Sequence, residues 1–335
     1  MPAARFAPAR RGTMVDGGLT PSVADGPSVV LVGAAHLDRV AASLGPFRPG
    51  CSNPGRLTER LGGAAFNAAL ALRAFGARAH LVSACGGDAV AERIGDALDR
   101  AGIGDGRIAW LDRRSATFTA MVDASGELIG GVADMEIYDR LLPRTLARRH
   151  LADRLAAADG LLIDANLSAA SLRHLAHQQR DLPVAAIAVS PAKAPRLADA
   201  LSRLAVLFAS RAEMASLLGL AAEATDTDFV SAATRAGLRR AVATDGPRDV
   251  LVIDGEAAWR QTPPQVPQIS DVVGAGDTLA GATFGTFLRN RPFAAAVRTG
   301  LVAAALRIGP GLDAASAAAA EDAADALPAP RPLSA

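Results

Sequence analysis

The sequence predicts an α/β protein in which helices cover a mainly parallel sheet. Short β-branched runs alternate with stretches of helical apolar spacing through most of the chain. Half of the residues are hydrophobic but only 4% are aromatic, so the interior must be built from Ala, Leu, Val and Ile, as in layered α/β proteins. At 335 residues there is ample chain for a large core, which α/β folds often hold in one unit.

Taken in order, residues 1–27, with "ARFAPARRG" and scattered Gly and Pro, lack the apolar segment of a secretory leader. They read as a flexible N-terminal tail, with Met14 open as an alternative start. The run Val29 to Val32, ending at Gly33, has the pattern of a buried strand leading into a turn. "GPFRPGCSNPGRL" is dense in Gly and Pro and reads as loop or edge structure. Helical spacing follows the pair Gly62 and Gly63, with a helix expected from about Ala65. "AHLVSACGGD" reads as the next strand and "AVAERIGDALDRAGI" as the helix after it.

The middle breaks the rhythm. Residues 115–134 alternate Phe118, Ala120 and Val122 on one face, turn at Asp123 to Gly126, and return through Leu128 and Ile129. This is a hairpin pattern, placed in a small sheet outside the main layer. "GLLIDANLS", "PVAAIAVS", "LAVLFAS", "AVATDG" and "DVLVID" then resume the alternation expected of a parallel sheet covered by helices. From Gly274 the chain reads as nearly all helical to about Leu327, with a Pro-rich C-terminal tail over 328–335.

A net charge of +1 gives no field that would draw the protein to nucleic acid or a membrane surface, so a small-molecule partner is expected. No apolar run reaches membrane-spanning length. Cys51 and Cys85 are too few for a metal cluster or a disulfide framework, which points to a reducing cytoplasm. Lys193 is the only lysine beside 34 arginines, a bias that reads as coding composition.

The most informative stretch is "SDVVGAGDTLAGATFGTFL", residues 270–288. Glycines just before a helix let backbone N–H groups turn inward, and the helix N-terminus adds partial positive charge, which suits a phosphate oxyanion. Asp277 lies where a carboxylate would meet whatever approaches that anion. Phosphoryl transfer needs this pairing of donors for the moving group with a base for the attacking hydroxyl. A tight turn with Asp277 or Thr278 capping the helix is the other reading of the bare motif. No Gly-x-Gly-x-x-Gly follows the first strand, where "VGAAHLD" stands, and no glycine loop ends in Lys-Ser or Lys-Thr. Those absences argue against a dinucleotide-binding oxidoreductase and a Walker-type NTPase.

"DVVGAGDTLAGATFG" together with "GGAAFNAALALRAFGARAHLVSACGGDAVAERIGDAL" resembles the paired signatures of the ribokinase-like, or PfkB, family of sugar and nucleoside kinases, over about residues 28–325. The resemblance implies a three-layer α/β/α sandwich with a mainly parallel central sheet, a kinase domain over 28–327, and a small β-sheet lid from about 36–60 and 113–138. It implies ATP-dependent phosphorylation of a ribosyl primary hydroxyl, with Asp277 as general base and Gly274, Ala275 and Gly276 as anion hole. Asp271, Thr244 and Gly246 would stand at the nucleotide, and Glu213 would hold Mg²⁺ through water, with K⁺ as a further candidate cofactor. Asp38, Gly62, Gly63 and Asn67 would line the sugar pocket, joined by His36 and Asn166. Lids of this kind often pair between subunits, so a homodimer is expected.

Read without the family, Asp38 equally caps a turn, Asn67 faces its own helix backbone, and Asn166 caps the following helix beside Ser168. His36 reads as a solvent-facing loop residue, and Lys193, after another strand end, either meets a phosphate or stands as a solvated loop lysine. Within the family, "SNPG", "DMEI", "DANLS" and "VSPAKAPRL" resemble the branch acting on pseudouridine. Three positions depart from the family pattern. Ser210 stands in "SRAE" where Asn is usual, Asp249 in "TDGPRD" replaces a glycine, and His36 stands where the pseudouridine branch tends to have Asn. A kinase for ribose, another nucleoside or a sugar acid is the alternative, as is a catalytically weak binding protein on the same fold.

Overall fold

The computed structural model describes residues 26–333 other than 179, 180, 222 and 310. The expected tail over 1–27 falls almost wholly outside the described residues. The strands, in chain order, are β1 (Ser28–Val32), β2 (His36–Ser43), β3 (Gly55–Gly62), β4 (Arg78–Val82), β5 (Ala84–Gly86), β6 (Gly104–Asp105), β7 (Ile108–Trp110), β8 (Thr117–Val122) and β9 (Leu128–Asp134). They continue with β10 (Gly160–Asp164), β11 (Val184–Ile187), β12 (Val206–Ser210), β13 (Arg240–Thr244), β14 (Val250–Asp254), β15 (Ala257–Gln261) and β16 (Arg331–Pro332).

Ten of them form one sheet in the order β16-β15-β14-β13-β12-β11-β10-β1-β4-β6. Strands β13, β12, β11, β10, β1, β4 and β6 pair in parallel. Residues of β1 alternate between the two helix layers: Val30 and Val32 pack with Leu172, Leu197 and Met214, whereas Val29 and Leu31 pack with Leu72, Leu279 and Phe284. Both faces of the strands are therefore apolar, as a doubly covered parallel sheet requires. The three-layer α/β/α expectation is met. Among the described residues no helix is long and apolar enough to cross a membrane.

Three details differ from the sequence reading. "AHLVSACGGD" splits into β4 and β5, which join different sheets. "DVLVID" pairs antiparallel to β13, because the connection from Thr244 to Val250 is far too short for a parallel crossover. The expected tail from 328 contains β16, which pairs antiparallel with β15, and the Pro328 carbonyl accepts from Gln261 Nε2 at 3.0 Å.

The second sheet has the order β3-β2-β8-β9. Its cross-strand register puts Asp38 beside Arg60 and Phe118, and Val40 beside Thr58 and Ala120, on one face. On the opposite face Ala41 aligns with Leu57 and Met121, and Thr119 with Val132. The hairpin turn closes through Gly126 N–H to Asp123 O at 3.0 Å, with Asp123 Oδ1 accepting from the Ser125 and Glu127 N–H groups.

The main chain runs from β1 to β4 on one side and returns through β10 to the other. The order therefore reverses between β1 and β10, and the crevice beyond their carboxyl ends is where open α/β sheets take ligands. The second sheet and the helix Ala275–Leu288 both stand at this crevice.

Candidate active site

Helix Ala275–Leu288 begins at Gly274, whose backbone is left-handed at φ 82°. A Cβ there would lie 2.8 Å from Asn67 Nδ2, so the position requires glycine on both counts. The first-turn N–H groups of an α-helix have no partner within the helix and suit an anion; here the Ala275 N–H also donates to the Val272 carbonyl at 3.3 Å. Asp277 stands in this first turn, and its Oδ2 accepts from Asn67 Nδ2 at 2.9 Å. Asn67 belongs to the helix Ala64–Ala74, which follows the Gly62–Gly63 pair. Gly63 is also left-handed, at φ 111°, and a Cβ on it would meet the Ala34 carbonyl at 2.3 Å. Gly63 thus lets that helix start pressed against the segment that follows β1.

Asp277 opens onto a cavity of about 210 Å³ lined also by Ile187, Val189, Phe208, Ser210, Glu213, Thr244 and Gly276. Burial pushes its carboxyl up to about 6; the Asn67 hydrogen bond opposes this, and the carboxylates of Asp164 and Glu213 add to it. A carboxyl held there is ionised at pH 7 yet close enough to neutrality to exchange a proton, the range a general base needs.

Ser210 caps the helix Arg211–Leu218 in a capping box: its Oγ accepts from Glu213 N–H at 3.2 Å, and Glu213 Oε2 accepts from Ser210 N–H at 2.7 Å. The short side chain at 210 is therefore occupied locally, and Glu213 keeps one oxygen outside that bond. Among the described residues no three His, Cys, Asp or Glu groups gather as a metal cluster. Glu213 and Asp277 on one cavity still suit a Mg²⁺ that keeps its waters and binds mostly through phosphates.

In the loop after β13, Thr244 lines the cavity and Gly246 is left-handed at φ 58° with open space around it; Gly246 does not reach the cavity. Asp249, the acid in place of a glycine, is ion-paired to Arg331 and accepts from Thr262 Oγ1 at 2.8 Å. Its charge is met by this chain.

At the lid, Asp38 is 7% exposed and has cationic or donor neighbours on both oxygens: His36 Nε2 at 3.2 Å and Arg60 Nε at 3.5 Å. A Cβ at Gly62 would lie 2.3 Å from Asp38 Oδ2, so the glycine gives this carboxylate its room. Arg60 also pairs with Asp271, which Arg307 Nη2 reaches at 3.3 Å, and Asp271 Oδ1 accepts from Val273 N–H at 2.9 Å. One guanidinium thus ties the lid to the loop before the Gly-Ala-Gly turn.

Sequence reasoning missed Arg60, Tyr138 and Asp164. Tyr138, 1% exposed, donates to the Ala35 carbonyl at 2.9 Å and lies 3.4 Å from His36 Nδ1, fixing the segment that leads to Asp38. Asp164 is fully buried and accepts N–H bonds from Ala34 at 2.8 Å, Ala65 at 3.1 Å and Asn166 at 2.9 Å. An acid closing the apolar run "GLLID" was the available signal for it.

The sheet order, the lid and the carboxylate at a glycine-led helix start define a phosphotransferase of the sugar-kinase class. The family description "pfkB family carbohydrate kinase" matches residues 27–318, and the chain belongs to that family. It is an ATP-dependent kinase. It is 26% identical over 275 residues to the pseudouridine kinase of Escherichia coli (strain K12), covering 81% of this chain and 87% of that protein. A carbohydrate kinase from Agrobacterium tumefaciens has a similar structure, with a TM-score of 0.81, 33% identity, and coverage of 92% of this chain and all of that one. Arabidopsis thaliana ribokinase, solved with ribose and ATP, superposes with a TM-score of 0.79 at 18% identity, covering 88% and 99% of the two chains.

Proposed function

We propose that this kinase phosphorylates the 5′-hydroxyl of a ribosyl substrate, with pseudouridine the favoured acceptor. The observation that carries the reading is Asp277, raised to about 6 at the first turn of a glycine-led helix and oriented by Asn67. In this role Asp277 takes the proton of the hydroxyl as its oxygen attacks the γ-phosphorus. The bond from that phosphorus to the β–γ bridging oxygen breaks, and ADP leaves. N–H groups of Gly274, Ala275 and Gly276 meet the charge on the transferred group.

Asp38 accepts from sugar hydroxyls, and Gly62, Gly63, Asn67, His36 and Asn166 complete the acceptor pocket. Thr244, Gly246 and Asp271 serve the nucleotide side. A bound Mg²⁺ would neutralise phosphate charge, with Glu213 holding it through water. A K⁺ requirement belongs to the same proposal and is tested by exchanging K⁺ for tetramethylammonium. The apolar outer face of the second sheet, with Leu57 61% and Val132 71% exposed, supports its pairing as the lid of a homodimer. A cytoplasmic enzyme without nucleic-acid or membrane partners fits the low net charge.

The test is ADP formation from ATP and Mg²⁺ with pseudouridine, uridine, adenosine, ribose and a sugar acid, using Asp277→Asn as control. Fastest turnover of pseudouridine, lost by orders of magnitude in the variant, is the expected result. The guanidinium of Arg60 beside Asp38 favours a sugar acid as the second reading. Best turnover of that compound would replace pseudouridine and leave the kinase chemistry intact. Silence on every acceptor with ATP still binding would support a binding protein on this fold.

A further inference from the structure

Asn166 lies just beyond β10 at the crevice, 4% exposed, and three of its four polar groups are held by this chain. Its N–H donates to Asp164 Oδ1 at 2.9 Å, its carbonyl accepts from Arg196 Nη1 at 3.2 Å, and its Oδ1 accepts from Lys193 Nζ at 2.6 Å. The fourth group, Nδ2, is buried and has no partner among the described residues. Leaving a buried donor unsatisfied is destabilising. An ammonium has only donors, so the amide cannot flip without setting its NH₂ against Lys193. The fold therefore holds Asn166 in the one orientation that leaves Nδ2 unpaired.

Lys193 is suited to this task. It is the only lysine beside 34 arginines, and a compact ammonium reaches one oxygen where a planar guanidinium would need a wider slot. Burial pulls its ammonium below the ordinary lysine value, and the Asp164 carboxylate opposes that pull. The turn that brings it over β10 starts at Val189, whose φ of 70° is strained for a β-branched residue. The same Asp164 carboxylate accepts from Ala34, ahead of His36 and Asp38, and from Ala65 in the helix that carries Asn67. Asn166 is thereby registered against both parts of the acceptor pocket.

We propose that Lys193 is a positioning residue for acceptor recognition: by holding Asn166 Oδ1, it fixes Nδ2 as a hydrogen-bond donor to a hydroxyl or carbonyl oxygen of the molecule being phosphorylated. This rests on the kinase reading above and adds the acceptor-side device to it.

Lys193→Met keeps the apolar stem and removes the donor. The expected result is an acceptor KM raised about tenfold, with kcat within about threefold and the KM for ATP unchanged. Asn166→Asp still accepts from Lys193 but lacks the Nδ2 donor, and should show the same acceptor KM defect. Lys193→Arg restores part of the loss. Because there is one lysine, protein labelled with ¹⁵N-lysine gives a single side-chain ammonium resonance, which should move in Asn166→Ala and on titration with pseudouridine or ribose. An acceptor KM unchanged in Lys193→Met, or a rise in the KM for ATP instead, overturns the proposal. So does a resonance indifferent to Asn166→Ala. If the wild type turns over no acceptor, the kinase reading fails, and the resonance judges the device alone: no movement with either ligand rejects it.

Discussion

Asn67 Nδ2 donates to Asp277 Oδ2 at 2.9 Å, joining the helix Ala64–Ala74 to the helix Ala275–Leu288 across 210 positions of sequence. The bond faces the carboxylate toward the cavity and favours its charged form against the effect of burial. Asn67→Ala removes both effects. Its kcat should fall roughly 10- to 100-fold, about 1.4–2.8 kcal/mol of barrier, and the acid limb of its pH–rate profile should move to higher pH. An unmoved limb would show that Asn67 does not act on Asp277.

As the proposed base, Asp277 should set the pH behaviour of the wild type. Its carboxyl in the fold is raised to about 6, from an ordinary 3.8, with burial the main cause. Proton acceptance needs the ionised form, so kcat should be flat above pH 7 and fall as pH drops through about 6. For stability, a raised carboxyl favours the fold below its unfolded value, and that support is lost as pH rises through the folded value. Asp277→Asn removes the cost of the buried charge, at most about 3 kcal/mol by the displacement. The variant should melt higher than wild type at pH 8, by an amount that shrinks between pH 6 and pH 4. A variant melting lower at pH 8 would contradict the assignment.

How much of this was legible depends on how local the signal was. The hairpin over 115–134 and the helix start at Gly274 were readable, because turn residues and apolar spacing lie within a few positions of one another. The antiparallel turn of β14 was readable in principle from the five residues between Thr244 and Val250, but the apolar run of "DVLVID" is the same in either direction. Arg60 left no local trace: its partners, Asp38 and Asp271, lie 22 and 211 positions away, and only closure of the lid over the loop selects it. Tyr138 lies in a short 3₁₀ turn whose role is set by the Ala35 carbonyl 103 residues upstream. The two residues of β16 are too few for periodicity to register.

The register of the second sheet makes a prediction about assembly. Leu57, Met121 and Val132 are 61%, 40% and 71% exposed on the face opposite Asp38, and β9 is an edge strand exposed along its whole length. Unprotected apolar edges of this kind invite pairing with another copy. The wild type should sediment as a dimer, and Met121→Lys combined with Val132→Asp should give a folded monomer. A monomeric wild type, or a dimer that survives both charges, places the interface elsewhere.

His80 makes an acid-sensitivity prediction independent of catalysis. Its imidazole packs against Gly104 and Gly106, where an added Cβ would lie 2.3 and 2.4 Å from its ring nitrogens, and Nδ1 is buried without a partner among the described residues. Burial, reinforced by the positive charges of Arg154 and His150 and opposed by Asp105, lowers it to about 4 from 6.5. The folded state therefore binds fewer protons than the unfolded chain between those values. Stability is full above pH 6.5 and declines as pH falls toward 4. Because the ring keeps some solvent contact, the loss is discounted to about 1–2 kcal/mol, or roughly 1–3 °C of melting temperature for a chain of this size. His80→Gln cannot take up that proton and should lose less between pH 7.5 and pH 4.5 than the wild type does. Equal losses in the two proteins would assign the acid sensitivity to other groups.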